Sequence, residues 1–168
     1  FKVDIHENKK IKDIILKNKI DSVIHLAANL IIGEGEKYPK KYFKNNVLGT
    51  KNLLEACKNT GIKNFVFSST AAVYKDGQYK VNENSAIKPM YPYALTKRLG
   101  EELVMHWLKL YDISGISLRL FNVYGPRART SGTYGAVFGV FLAQKLAGKP
   151  FTVVGDGNQT RDFTYVLD

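Results

Sequence analysis

The alternation of short apolar segments with longer amphipathic ones constrains the fold of this chain more than any other feature. Residues 22–26 and Asn64–Ser68 are short, apolar and bounded by polar or small residues, as buried strands are. Between them, apolar side chains recur at helical spacing, as at Ile11, Ile14 and Ile15. Strands and helices that alternate in this way predict a parallel sheet covered by helices on both faces. The predicted fold class is therefore α/β.

The same periodicity places the individual elements. The predicted strands are the end of one at 2–5, followed by 22–26, Asn64–Ser68 and 114–120. The predicted helices cover 7–18, 39–59, 92–111 and 134–147, and a loop with Gly33 and Gly35 precedes the second. In the third helix, the predicted apolar stripe consists of Leu95, Leu99, Leu103, Trp107 and Leu110. Ligands of parallel sheets bind at the carboxyl ends of the strands, where this chain carries small and polar residues.

Size and composition fit one globular domain. The chain has 168 residues, of which 45% are hydrophobic and 24% charged, an ordinary balance for a globular protein. No apolar stretch is long enough to span a membrane, and the N-terminus lacks the features of a signal peptide. The single cysteine, Cys57, permits no internal disulfide and lies in an apolar helical pattern. We therefore predict a cytoplasmic protein with no membrane partner.

The formal net charge of +10 is compatible with a nucleic-acid partner. The lysines are scattered along the chain, however, and no stacking aromatic residues interleave with them in a nucleic-acid-binding motif. We interpret them mainly as solvated helix faces, some of which help to hold an anionic ligand such as a nucleotide diphosphate. No nucleic-acid partner is predicted.

Tyr93 and Lys97 are the pair that most directly suggests chemistry. They are four residues apart at the start of a predicted helix, so both side chains lie on one face. A phenol with a pKa near ~10 is a poor base at neutral pH, and a fixed positive charge beside it favours the phenolate. Bringing that pKa to neutral pH requires roughly 4 kcal/mol, more than one exposed ammonium supplies. A second cation, such as an oxidised nicotinamide ring, is therefore needed to lower the pKa of the phenol far enough.

Four further motifs accompany this pair in a fixed order. The series is HLAA at 25–28, FSSTAAVY at 67–74, YALTK at 93–97, RLFNVYGPR at 119–127 and GDGNQTRDF at 155–163. It resembles the extended short-chain dehydrogenase/reductase family of NAD-dependent nucleotide-sugar enzymes, closest to the UDP-glucose 4-epimerase type. The resemblance covers essentially the whole chain and implies a Rossmann-like fold. It also implies that residues 1–168 are a partial NAD-binding domain, in which the substrate-binding region starts at about 125–168.

The resemblance implies a role for each motif residue. Tyr93 would be the base that takes the proton of the sugar 4-hydroxyl, Lys97 would bond the nicotinamide ribose, and Thr70 would hydrogen-bond the same sugar oxygen. The residues implied to contact NAD are Asp4, Ile5, Leu26, Ala27, Ala28, Asn46, Ser68, Tyr93, Lys97 and Phe121. Those implied to contact the UDP-sugar are Thr70, Asn122 and Arg161. On the residues alone, the alternative for Thr70 is a turn residue, that for Asn46 is a helix-surface residue, and that for Arg161 is a member of a surface ion pair.

Two features of the family are absent from this sequence. The glycine-rich turn that places a pyrophosphate at a helix N-terminus is missing, as is the acidic residue for the adenosine ribose. We therefore expect a truncated Rossmann-like domain, a central fragment that lacks the first βα units and the C-terminal substrate region. Such a fragment alone is expected to be inactive and to bind NAD weakly or not at all.

Several reactions of the family share a 4-keto sugar intermediate. Dehydratases place Asp-Glu directly after the Thr, where this chain has Ala71 and Ala72, which cannot transfer protons. Epimerisation needs only Tyr93, Thr70 and room for the keto sugar to turn, so a UDP-sugar 4-epimerase is the preferred function. A UDP-sugar-acid decarboxylase, a 4,6-dehydratase, a 4-keto reductase and a catalytically silent fragment remain alternatives. Relatives form homodimers through two long helices, which predicts a homodimer through 39–59 and 92–111.

Overall fold

A computed structural model of the chain describes residues 1–77, 80–130, 137–153 and 155–168. The chain divides into two compact units, Phe1–Arg119 and Leu120–Asp168. The search of the described residues for a helix long and apolar enough to cross a membrane found none. The boundary between the units precedes the predicted start of the substrate-binding region, and the assignment of that region stays a prediction.

The first unit is built on a three-stranded parallel sheet in the order β1-β2-β3. The strands are β1 (Ser22–His25), β2 (Asn64–Ser68) and β3 (Ser114–Leu118). Val23 pairs with Phe65 and Phe65 with Gly115, so the three strands run in one direction and end at the same edge. Helices lie between consecutive strands, because a parallel connection must return along the sheet. The predicted α/β class with a Rossmann-like parallel sheet is confirmed.

The helices of the first unit follow the predicted order, and two of the predicted segments differ from the structure. They are α1 (Asn8–Lys17), α2 (Ile32–Lys37), α3 (Pro39–Tyr42), α4 (Gly49–Cys57) and α5 (Pro92–Leu110). A π-helix, Phe43–Leu48, joins α3 to α4, so the predicted helix at 39–59 contains one wider turn. The first difference is α2, which was expected to be a loop because of its glycines. Gly35 instead allows close packing, because a Cβ there would lie 3.2 Å from the ring of Tyr42.

The second difference is the predicted strand end at 2–5, which is wrong. Within the described residues, β1 is an edge of its sheet and no segment pairs with residues 2–5. These residues lead into a turn instead, because the Asp4 carboxylate accepts a hydrogen bond from the backbone N–H of His6 at 2.8 Å. The backbone N–H of Glu7 also donates to the carbonyl of Asp4 at 3.0 Å. Both hydrogen bonds stabilise a turn at residues 4–7, directly before α1.

The hydrophobic core of the first unit lies between the sheet and its helices. Its buried members are Ile15, Leu54, Cys57, Ile62, Phe65, Phe67, Val104 and Leu108. The predicted apolar stripe of α5 is shifted from the face that is buried, since Leu95 is 38% exposed and Leu110 is 68% exposed. The buried positions of α5 are Ala94, Thr96, Lys97, Gly100, Glu101, Val104 and Leu108. Polar and charged groups therefore occupy much of the face that meets the sheet.

The described residues of the second unit form two short parallel strands and one helix. They are β4 (Asn122–Tyr124), β5 (Phe163–Tyr165) and α6 (Val137–Leu146). Four aromatic rings pack together within it, those of Tyr124, Phe138, Phe163 and Tyr165. The predicted helix at 134–147 is observed from Val137 onward, and its first three residues lie outside the described part of the chain. The two strands were not predicted, because three residues are too few to show a periodic pattern.

Candidate active site

The predicted catalytic pair Thr70 and Tyr93 meet in the structure. Tyr93 is the second residue of α5, which begins at Pro92 because the fixed φ of proline suits the first helical turn. Thr70 follows β2 in extended conformation, and its hydroxyl oxygen accepts a hydrogen bond from the backbone N–H of Ala72 at 3.2 Å. The Thr70 side chain lies close enough to the Tyr93 phenol to lower its pKa. The end of one strand and the start of one helix thus bring two hydroxyls together.

The Tyr93 phenol is less acidic in the structure than the sequence suggested. Burial raises the pKa of Tyr93 above its ordinary value of 10.0, and the hydrogen bond from Thr70 lowers it. Lys97 is not among the groups that shift the pKa of Tyr93 in this structure, so its expected effect on that pKa stays a prediction. A low-dielectric environment penalises the charged form of a phenol unless a cation lies close to its oxygen.

Lys97 is almost fully buried, and its Nζ lies 4.5 Å from the centre of the Phe67 ring. Burial lowers the pKa of Lys97 to about 8, and the negative charge of Glu101 partly opposes that change. Within the described part of the chain, neither a hydrogen bond nor an ion pair engages its ammonium. A buried ammonium with free donors is suited to bind hydroxyl groups of a ligand, such as those of a ribose.

The Asn46 amide is hydrogen-bonded within the protein, and its predicted contact with NAD stays a prediction. Its Oδ1 accepts from the backbone N–H of Asn29 at 2.8 Å and from Nδ2 of Asn45 at 3.1 Å. Its Nδ2 donates to the carbonyl of Asn29 at 2.9 Å and to the Thr96 hydroxyl at 3.0 Å. All four hydrogen-bonding positions of the amide are used by these contacts. Asn46 thus ties the loop after β1 to α5, where the Thr96 hydroxyl donates to the carbonyl of Tyr93 at 2.8 Å.

The other residues predicted to contact NAD in the first unit are spread along one rim. Leu26 and Ala27 are exposed and Ala28 is half-buried directly after β1, while Ser68 ends β2. Ile5 packs against the start of α4, since a Cβ on Gly49 would lie 2.8 Å from its Cγ2.

Asp4 lines a cleft of about 670 Å³, together with His6, Asn29 and the lysines Lys37, Lys40, Lys41 and Lys44. The size of this cleft is typical of a small-molecule site, and its charge favours an anion.

The residues predicted to grip the sugar nucleotide lie in the second unit. Nδ2 of Asn122 donates to the carbonyl of Asp162 at 2.9 Å, which places Asn122 beside the segment that carries Arg161. The Arg161 guanidinium is exposed and donates to the carbonyl of Thr160 at 2.7 Å. Phe121 is partly exposed just before β4. Phe121 and Asn122 are adjacent in sequence, and the pairing of β4 with β5 brings Asn122 close to Arg161. The roles of the three residues stay predictions.

Sequence reasoning missed a buried charged cluster beside Thr70 and Lys97. Glu101 is 4% exposed and accepts hydrogen bonds from Ser69 and Arg119. One signal was available, because Glu101 is four residues after Lys97 and therefore on the same helical face. The contributions of Ser69 and Arg119 required the fold, since they come from the ends of two different strands.

Comparison with known proteins identifies the group to which this site belongs. The model of the NAD dependent epimerase/dehydratase family matches residues 1–168. The chain belongs to this family. Its members, as described by the family name, use NAD, so the predicted cofactor and the predicted resemblance are both confirmed.

Individual relatives include both reaction types named by the family. The chain is 39% identical to a protein of Bacillus subtilis (strain 168) described as an uncharacterized UDP-glucose epimerase, over 98% of this chain and 51% of the relative. It is 33% identical to a dTDP-D-glucose 4,6-dehydratase of Dictyostelium discoideum over 100% of this chain and 41% of the relative. The solved structure of a UDP-N-acetylglucosamine 4-epimerase from Methanobrevibacter ruminantium M1 superposes with a TM-score of 0.89 at 34% identity.

The extent of these matches is as informative as their identity. The structural match covers 99% of this chain and 53% of the Methanobrevibacter protein. The chain therefore spans about half the length of the curated relatives that it matches.

Proposed function

We propose that the protein carrying this chain is an NAD-dependent nucleotide-sugar 4-epimerase of the UDP-glucose/UDP-galactose type. The observation that carries the proposal is the contact between the Thr70 hydroxyl and the Tyr93 phenol, with Lys97 one helical turn further along α5. Two hydroxyls that share one hydrogen bond can both contact a third oxygen, such as that of a sugar alcohol.

The residues of the site fit NAD. Buried Lys97 has donors free for the hydroxyls of a ribose, within the described part of the chain. Small residues, Ala27 and Ala28, follow β1 at the rim where parallel sheets bind their ligands. When bound, NAD supplies the acceptor and donor of the hydride that leaves and returns to the sugar carbon.

The side chains of this chain supply the proton chemistry. Tyr93 takes the proton of the sugar 4-hydroxyl as the carbon is oxidised, and Thr70 holds the same oxygen by a hydrogen bond. Because burial raises the pKa of Tyr93, the phenolate needs positive charge nearby when it acts as a base. Lys97 supplies one such charge from the same helix. On return of the hydride to the opposite face of the 4-keto sugar, Tyr93 gives the proton back.

The residues after Thr70 support epimerisation over dehydration. Ala71 and Ala72 open a 3₁₀ turn, Ala71–Val73, that Thr70 caps. Their methyl groups cannot act as acid or base, and removal of water across two sugar carbons requires both. The site therefore has the groups needed to oxidise and reduce one carbon, and lacks an acid–base pair at the positions that dehydratases use.

The experiment that tests this function uses the full-length polypeptide that contains residues 1–168. Purified protein is incubated with NAD⁺ and UDP-glucose, UDP-galactose, their N-acetyl forms or UDP-glucuronate, and products are separated by chromatography and mass spectrometry. We expect interconversion of a C4-epimer pair without loss of water or carbon dioxide. Formation of a 4-keto-6-deoxy sugar or of a pentose would contradict the proposal, as would absence of turnover. Residues 1–168 expressed alone are expected to be inactive, because they lack the glycine-rich turn for the pyrophosphate.

We also propose that the protein forms a homodimer through the helices at 39–59 and 92–111. Exposed apolar side chains on these helices support this, among them Leu48, Leu95 and Met105. Light scattering on the full-length protein should give twice the mass of the chain. Leu95→Glu with Met105→Glu should halve it, and a monomeric wild-type protein would contradict the proposal.

A further inference from the structure

Glu101 is the most heavily hydrogen-bonded buried carboxylate in the described part of the first unit. Its Oε1 accepts from the Ser69 hydroxyl at 2.5 Å and from Nε of Arg119 at 3.0 Å. Its Oε2 accepts from Nη2 of Arg119 at 3.0 Å and from Nη1 of Arg98 at 2.9 Å. Arg119 thus makes a paired, charge-assisted contact with both carboxylate oxygens. Four donors from three elements of the fold meet on one side chain.

The donors connect Glu101 to the predicted catalytic residues. Ser69 is directly followed by Thr70, whose side chain lies close enough to Tyr93 to lower the pKa of the phenol. The bond from Ser69 to Glu101 therefore fixes the end of β2 against α5, eight residues from Tyr93 along the helix. This distance is about two helical turns, so the two bonds hold the same strand end at two points on one helix.

Arg119 extends the cluster to the segment between Thr70 and α5. Its Nη1 donates to the Tyr74 hydroxyl at 3.2 Å, and its guanidinium lies 5.0 Å from the centre of the Tyr74 ring. Tyr74 is itself paired with Ile87 through an isolated bridge. Glu101 thus anchors both the beginning and the later part of this segment.

Charge is the second link between Glu101 and the site. The groups that face Lys97 are Glu101 from α5, His25 from β1 and the Phe67 ring from β2. His25 is kept neutral, since burial and the charge of Lys97 lower its pKa to about 4. Glu101 is therefore the negative charge that opposes the loss of the proton from buried Lys97.

A purely structural role would explain these contacts less well. Buried ion pairs often contribute little to stability compared with apolar residues of similar size. The hydrophobic core contacts of α5 are made further along, at Val104 and Leu108. Glu101 lies instead between that core and the Thr70–Tyr93 contact, where its negative charge reaches Lys97.

We propose that Glu101 is a positioning residue of the site, which holds Thr70 against Tyr93 through Ser69 and places a negative charge one turn from Lys97. The kinetic part of this inference rests on the proposed function. The electrostatic part does not.

Three variants of the full-length protein separate the two parts. Glu101→Gln removes the charge but keeps hydrogen-bonding capacity, and Ser69→Ala removes the link to Thr70 but keeps the charge. Glu102→Gln is the matched control, because Glu102 is exposed, also pairs with Arg98 and is the next residue on the helix. Lysine labelled with ¹³C at Cε reports the titration of Lys97 by NMR, with its signal assigned by its loss in Lys97→Arg.

We expect Glu101→Gln to lower the pKa of Lys97 below about 8 and to reduce kcat roughly 10- to 100-fold with little change in KM. Ser69→Ala should reduce kcat and leave the Lys97 titration unchanged, and Glu102→Gln should change neither. A folded Glu101→Gln variant with wild-type kcat and wild-type Lys97 titration would overturn the inference.

Two other outcomes also decide the matter. If Glu101→Gln does not fold, Ser69→Ala decides by itself, and an unchanged kcat in that variant overturns the positioning role. If the wild-type protein turns over no nucleotide sugar, the proposed function fails. The Lys97 titration then tests Glu101 alone, and an unchanged pKa in Glu101→Gln overturns the inference.

Discussion

The two halves of α5 bury very different side chains against the same sheet. The first half, 92–101, buries Thr96, Lys97 and Glu101, whereas the second half buries Val104 and Leu108. The second half joins the hydrophobic core, which stabilises the fold by removing apolar surface from water. The first half buries polar groups, which is favourable only where each has a partner. One helix thus combines a stabilising segment with one whose composition suits chemistry.

Within the first half, the partners are unequally distributed. Thr96 accepts from Asn46 and donates to the carbonyl of Tyr93, and Glu101 accepts four hydrogen bonds. Lys97 has an aromatic ring beside it and no hydrogen-bonding partner within the described residues. We therefore expect the second half of α5 to contribute most to the free energy of unfolding. The buried charge of Lys97 is expected to lower that free energy.

The largest effect on stability is expected in the second half of α5. Leu108→Ala removes a side chain that is 4% exposed and that packs closely against Gly115. It should reduce the free energy of unfolding by about 2–5 kcal/mol, measured by denaturant titration of the full-length protein. Leu110→Ala, at a position that is 68% exposed on the same helix, is the control and should change it by less than about 0.5 kcal/mol. Equal effects would show that the two positions are not differently packed.

A gain in stability is expected when the buried charge is removed. The folded pKa of Lys97 is about 8, below its ordinary value of 10.5, so the folded state holds this proton less tightly than the unfolded state. Below pH 8 folding buries the charge, and between pH 8 and 10.5 that penalty disappears as the proton leaves.

Lys97→Met should therefore raise the free energy of unfolding at pH 7 by up to roughly 3 kcal/mol, and the gain should vanish near pH 10.5. Methionine keeps an apolar contact with the Phe67 ring. Denaturant titrations of both proteins at pH 7 and pH 10.5 measure the difference. A loss of stability at pH 7 would mean that the ammonium is favourably partnered in the folded protein.

A smaller effect is expected from His25 in acid. Nε2 of His25 is 2.8 Å from the Thr50 hydroxyl oxygen, which itself donates to the carbonyl of Asn46, so His25 is the donor in this contact. Burial lowers its folded pKa to about 4 from 6.5, so the unfolded state binds the proton first as the pH falls. Stability should decrease by about 1 kcal/mol between pH 6.5 and 5.5 because of this group. His25→Phe should remove that part of the pH dependence, and an unchanged slope would contradict the burial of a neutral histidine.

The sequence predicted the strands of the first unit well, because each is a short apolar segment with polar ends. It failed on the buried face of α5, since hydrophobic periodicity assumes that buried positions are apolar. Leu95 and Leu110 fitted the stripe, while Lys97 and Glu101 were the residues that faced inward. The hydrophobic pattern therefore does not show which residues of α5 are buried where polar and charged side chains meet the sheet.

The individual hydrogen bonds between residues that are distant in sequence could not be predicted from the sequence. Motif resemblance placed Thr70 and Tyr93 in one site, and the fold brings them into hydrogen-bonding contact. The resemblance could not show the hydrogen bonds of the Asn46 side chain, because a motif position does not reveal which hydrogen bonds the protein itself makes. The direction of the Tyr93 pKa depends on burial in the same way, and burial is a property of the folded chain.

The replacement of Tyr93 by phenylalanine tests the central claim most directly. Turnover of the nucleotide sugar by full-length Tyr93→Phe is compared with that of Tyr111→Phe, a control at the far end of the same helix, and sugar binding is measured by calorimetry for both. The account predicts that kcat falls by about 10²–10⁴-fold in Tyr93→Phe alone, with sugar binding and unfolding little changed. Wild-type turnover in Tyr93→Phe would show that another group removes the proton, and would contradict the account.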